Sequence, residues 1–139
     1  MAFAAGDVLT VDRLNGPLTS FTPTWSSSGT AVSLGNGTNV GYYSQVGRWV
    51  KFSIVLTMGS TTTFGTGYYS WVLPSTPTGP LIATAVLIDS GTTIYLGVGV
   101  QASGSILLNT HNNANAVGQT VPHTWASGDS ITIQGEYYV

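Results

Sequence analysis

Cysteine is absent from all 139 residues, which removes a disulfide framework and every thiolate metal site. Charge is nearly absent too: three Lys or Arg and five Asp or Glu make up 6% of the chain, against about 25% in an ordinary soluble domain. A net charge of -2 with so few basic groups offers no footprint for nucleic acid or acidic lipid. Long apolar runs are missing as well. Ala85-Val86-Leu87-Ile88 is among the longest, far short of the ~20 residues a membrane helix needs. Met1-Ala2-Phe3-Ala4-Ala5 has neither the basic start nor the apolar run of a signal peptide.

Acid-base groups are equally scarce. Asp7, Asp12, Asp89, Asp129, Glu136, His111 and His123 are the whole supply, with no second His or Cys at metal-ligand spacing. No nucleophile elbow, phosphate-cradling glycine loop or dinucleotide fingerprint occurs. No catalytic, metal or cofactor residue is therefore expected. The one enzymatic alternative is a small cell-wall glycan hydrolase using a pair from Asp89, Asp129 and Glu136. Against it, Asp129 closes a Ser-Gly-Asp turn, where its side chain caps backbone N–H groups, and Glu136 points outward on the last strand.

What the chain does contain is alternation. Trp49 to Met58 places Val50, Phe52, Ile54, Leu56 and Met58 on one face and Lys51, Ser53, Val55 and Thr57 on the other, the pattern of a half-buried strand. The same reading gives inward rows of Ile94, Leu96, Val98 and Val100, and of Ile131, Ile133, Tyr137 and Val139. Shorter strands are expected at 21–25, 40–45, 68–73, 81–88 and 105–109. Between them fall Gly35-Asn36-Gly37, Thr66-Gly67, Ser90-Gly91, Ser103-Gly104 and Ser127-Gly128-Asp129, the punctuation of a sandwich or barrel. In the stretch Gly59 to Pro74, Phe64 should plug a strand-crossing loop while Gly65 and Gly67 take positive φ. Helical character is confined to the start, where Thr10 can cap a turn that Gly16-Pro17 stops. The expected fold is all-β: an antiparallel β-sandwich, jelly-roll-like, of about eight to ten short strands, with a short N-terminal helical turn. Residues 1–20 form an N-terminal segment and 21–139 a single head domain, a size that buries one core unaided.

Both faces of some strands are apolar, as with Tyr69, Trp71 and Leu73 against Tyr68 and Val72, so a symmetric oligomer is expected. Aromatic side chains beside amides suit a neutral glycan or a subunit contact: Tyr42, Tyr68 and Trp125 with His111, Asn112, Asn113 and Asn115.

The opening Phe3-Ala4-Ala5-Gly6-Asp7-Val8-Leu9-Thr10-Val11-Asp12-Arg13-Leu14-Asn15 resembles the AG-x-x-LT-A-x-x-LN start of many tailed-phage minor structural proteins. Phe21 to Trp25, Leu34 to Thr38, Tyr43 to Gly47, Gly59 to Gly67 and Thr124 to Asp129 resemble the head domain of tail-fibre and minor tail proteins of actinobacterial phages. The resemblance implies a non-enzymatic virion surface protein, homotrimeric, with a β head. It implies an anchor onto other virion proteins through Phe3, Val8, Leu9, Val11 and Leu14, no nucleic-acid partner and no membrane insertion. Host cell-wall glycan is the expected external partner. The departure is length: Asn15-Gly16-Pro17-Leu18 joins anchor to head with no shaft between. That departure admits a short spike, a tail-tip component or a capsid decoration protein of the same fold.

Overall fold

The computed structural model describes residues 17–111 and 115–139, and its described residues contain strands and turns but no helix. The turn expected near Thr10, the anchor residues Phe3, Val8, Leu9, Val11 and Leu14, and the loop residues Asn112 and Asn113 lie outside them. Nine strands follow one another: β1 (Thr19–Phe21), β2 (Trp25–Ser27), β3 (Thr38–Val46), β4 (Trp49–Thr57), β5 (Tyr69–Val72), β6 (Ile82–Asp89), β7 (Thr93–Ala102), β8 (Ser105–Thr110) and β9 (Ser130–Tyr138). All pairings are antiparallel, in one sheet of order β1-β3-β4-β9-β6-β7-β8-β5-β2.

The order forces curvature. β1 and β2 sit at opposite edges of the sheet, yet only Thr22, Pro23 and Thr24 separate them. Four residue steps reach at most about 14 Å, so the edges must come round to face each other. The sheet curls into a half-barrel. The short link is tied to both ends: Asn39 Nδ2 on β3 donates to Pro23 O (2.6 Å), and Val72 N on β5 donates to Thr24 O (3.0 Å). The two halves of the curled sheet face one core, which is the sandwich-like all-β arrangement expected.

The core is built from alternating positions. Val50, Phe52, Ile54 and Leu56 of β4 and Ile131, Ile133 and Tyr137 of β9 line one half, and Trp25, Tyr69, Trp71, Ile106 and Leu108 line the other. Trp25, Tyr69 and Trp71 meet edge to face, with centroids 5.1 and 6.3 Å apart. The loop after β4 behaves as its residues require. Phe64 packs against the core, Tyr69 Oη donates to Phe64 O (2.9 Å), and Gly65 and Gly67 take φ of +57° and +84°.

One row is inverted. Ile94, Leu96, Val98 and Val100 were expected inside, but they are 63, 60, 54 and 44% exposed. The phase is fixed by register, because residues directly opposite share a face. Ile54 is inward; it opposes Ile133, Ile133 opposes Ala85, and Ala85 opposes Gly97. The inward row of β7 is therefore Tyr95, Gly97 and Gly99. Ile94, Leu96 and Val98 oppose Ile88, Val86 and Thr84 on the outer face.

Candidate functional site

Four neighbouring strands, β3, β4, β9 and β6, present their outward residues in parallel rows. Across them lies an open groove of about 440 Å³, lined in part by Leu18, Tyr42 and Ile82. Its lining includes Ser53, Thr84, Gln134, Lys51 and Glu136, so hydroxyl, amide, ammonium and carboxylate groups converge beside an aromatic ring. Lys51 and Glu136 oppose each other across β4 and β9, as Ser53 does Gln134. Tyr42 is 45% exposed, leaving its ring free to stack. A ring face flanked by donors and acceptors matches a polyhydroxylated ligand, which offers apolar C–H faces and rim hydroxyls.

The residues singled out from sequence scatter around this groove. Tyr42 lines it. Tyr68, 49% exposed, meets Asn115 in a second, smaller cleft of about 330 Å³ with Gln119 and Thr120. His111 stands exposed beyond β8. Trp125 is buried, with Nε1 donating to Gly118 O (2.8 Å), so its indole belongs to the core. Sequence reasoning missed Ser53, Thr84 and Gln134, whose only mark is being the polar members of alternating strands. What unites them is cross-strand register.

A second cluster lies at the other end of β6. Asp89, His123 and Asp129 bring one ligand atom each within 4.8 Å of one another, a count and mix that could hold a divalent cation. Their bonding shows a clamp instead. Asp129, 2% exposed, accepts from Ser90 N at Oδ1 (2.9 Å) and from Ala126 N at Oδ2 (2.7 Å), while His123 Nε2 lies 3.2 Å from Oδ2. His123 stacks on Tyr95 (5.4 Å, 11°) and leans on Trp125 (4.2 Å). Both carboxylate oxygens are thus committed to tying the β6–β7 turn to the loop before β9. Glu136 opposes Ile82, at the far end of β6 from Asp89, so of the three carboxylates considered for glycan hydrolysis only Asp89 and Asp129 come together, and Asp129 is engaged by Ser90 N and Ala126 N.

Compared with known proteins, the chain is 31% identical over 120 residues, 83% of its length, to a protein of Haemophilus influenzae (strain ATCC 51907 / DSM 11121 / KW20 / Rd) described as a Mu-like prophage FluMu defective tail fiber protein. The match spans 19% of that protein's own length. No family model matches the chain, and no solved structure does.

Proposed function

We propose that this chain is a non-enzymatic structural module of a phage virion, of tail-fibre type, and that its outer groove engages a saccharide on the host surface. The observation that carries the reading is the similarity over 120 residues to a tail fibre protein. Composition supports it: a chain with 6% charged residues builds its surface from hydroxyls, amides and aromatics, the groups that bind neutral sugars. In this reading the segment before Leu18 attaches to other virion proteins, and the sheet domain, which takes in Thr19 and Ser20 through β1, is exposed on the particle. Within the groove, Tyr42 stacks on a sugar face while Gln134, Ser53 and Thr84 bond its hydroxyls. The engagement of the Asp129 carboxylate by Ser90 N and Ala126 N, and the distance of Glu136 from Asp89 along β6, speak for binding without hydrolysis.

Two measurements separate the parts of this reading. Immunogold labelling of purified particles should decorate the tail; label spread over the capsid would overturn the tail assignment in favour of a decoration protein. Binding of the purified protein to host cell-wall saccharides on an array should fall at least tenfold in Tyr42→Ala and Gln134→Ala, with thermal unfolding unchanged. A wild-type protein that binds no host saccharide, or variants that bind as well as wild type, would remove the groove from the assignment.

A further inference from the structure

Charge is rare enough in this chain that its placement carries information. Lys51 is the one lysine and Glu136 the one glutamate among 139 residues. They oppose each other across β4 and β9, and both line the outer groove. Lys51 is exposed and Glu136 half-buried, yet no ion pair or hydrogen bond joins either to the other or to any other described residue. Arg48 and Asp129 differ in this respect. Arg48 Nε donates to Val139 O (2.6 Å) and its Nη2 to Thr78 Oγ1 (3.2 Å), while Asp129 accepts from Ser90 N and Ala126 N. Those charges tie the fold together; Lys51 and Glu136 tie nothing. Register sets them one row from the ring-stacking tyrosine. Ser44, Lys51, Glu136 and Ile82 form one outward row, and Tyr42, Ser53, Gln134 and Thr84 form the next. Rows of one face recur every ~6.7 Å along a strand, roughly the span of one sugar ring. A sugar stacked on Tyr42 and bonded by Ser53 and Gln134 therefore brings its own substituents, or those of its neighbour, beside Lys51 and Glu136.

We propose that the groove selects a zwitterionic saccharide, one that carries an anionic group, carboxylate or phosphate, for Lys51 and a free amino group for Glu136. The inference rests on the saccharide reading of the groove and deepens it. A neutral saccharide needs only the ring, hydroxyls and amide of the Tyr42 row, and leaves both charges without a counterpart. A purely anionic ligand meets Glu136 beside Lys51, and a purely cationic one meets Lys51 beside Glu136, so either carries a repulsion close to its attraction. A ligand with both charges meets the opposite sign at each. The two rows then divide the work: Tyr42, Ser53, Gln134 and Thr84 hold the sugar ring, and Lys51 and Glu136 discriminate among its substituents.

The test uses the full chain and purified host cell-wall saccharide, intact or chemically altered, with affinity read by isothermal titration calorimetry. N-acetylation with acetic anhydride, which removes the ammonium charge, should weaken binding at least about threefold, the scale of an ion pair on an open surface. Carbodiimide-borohydride reduction of carboxylates, or removal of phosphate by cold hydrofluoric acid, should weaken it by as much, and whichever does so identifies the anion. Glu136→Gln should bind the intact and N-acetylated saccharides alike, and Lys51→Gln should be indifferent to loss of the anion, with the urea midpoints of both variants at the wild-type value. Binding that Tyr42→Ala abolishes but that none of the treatments changes would overturn this inference and leave the saccharide reading of the groove standing. A loss confined to N-acetylation, or to removal of the anion, would make the ligand singly charged and overturn it as well. So would losses that persist undiminished in Lys51→Gln and Glu136→Gln, because the charges would then be read elsewhere. An untreated saccharide that does not bind would remove both readings.

Discussion

Asp129 shows how far one residue can be read and where reading stops. Its place in Ser127-Gly128-Asp129 marks it as a turn cap, and Oδ2 does accept from Ala126 N. Nothing local says that Oδ1 reaches Ser90, 39 residues earlier, or that His123 closes the other side. Hydrogen bonds to a buried carboxylate contribute about 1.5–3 kcal/mol each, and removing the acceptor leaves two amides unpaired. Asp129→Ala should therefore lower unfolding stability by about 3 kcal/mol, measured by urea denaturation. Glu136→Gln, on a partly exposed outward position, should change it by less than about 0.5 kcal/mol. Equal effects would mean that the clamp adds nothing. Tyr42 was legible as an outward aromatic because an aromatic at a polar alternate position is conspicuous. Gln134 was not, because only its neighbours on β4 and β6 make it part of a groove.

At the scale of elements, alternation fixes a strand's two faces but not which one is buried. For β4 and β9 the apolar row has polar alternatives, so burial has one solution, and the structure adopts it. For β7 the choice lay between an aliphatic row and a row of Tyr95, Gly97 and Gly99, and the hydrophobic pattern alone chose wrongly. Register overruled it. The inward glycines are needed where they are: a Cβ on Gly99 would lie 2.5 Å from Ile106 Cδ1 and 2.6 Å from the Cβ of Ala83, whereas one on Gly97 would come no closer than 3.1 Å, to Leu87 Cδ1. The Ala83 carbon is fixed to its backbone and cannot give. Gly99→Ala should thus cost about 2–3 kcal/mol by overpacking and Gly97→Ala under about 1, in the same urea assay. The reverse ranking would contradict the register.

For the whole molecule, two buried tyrosines link the curled sheet to its loops. Tyr69 Oη donates to Phe64 O in the loop after β4, and Tyr137 Oη lies 3.1 Å from Ser75 Oγ after β5. Burial pushes both phenols above their ordinary range; for Tyr137 the hydrogen bonds with Ser75 oppose that rise. A pKa raised on folding means that the folded state favours the neutral form. The associated stability is intact below the unfolded value near 10 and is lost as pH climbs through the folded one. The urea midpoint should hold level from pH 7 to 9 and fall above about 10. Tyr69→Phe should cost about 1 kcal/mol at pH 7 for the lost hydrogen bond and make the alkaline fall shallower. An alkaline fall identical to that of wild type would show that Tyr69 plays no part in it.

The chain's composition and period determined by themselves that it is all-β, antiparallel, built around one core and poor in groups for catalysis. Those properties follow from which residues repeat every second position and which are missing. The strand order, the closure of the sheet through Thr22 to Thr24, the outward turn of the β7 aliphatics and the convergence of Tyr42, Lys51, Ser53, Gln134 and Glu136 were decided only in three dimensions. Each depends on which strand lies beside which, and in what register, and pairings between residues dozens of positions apart leave no trace in local periodicity.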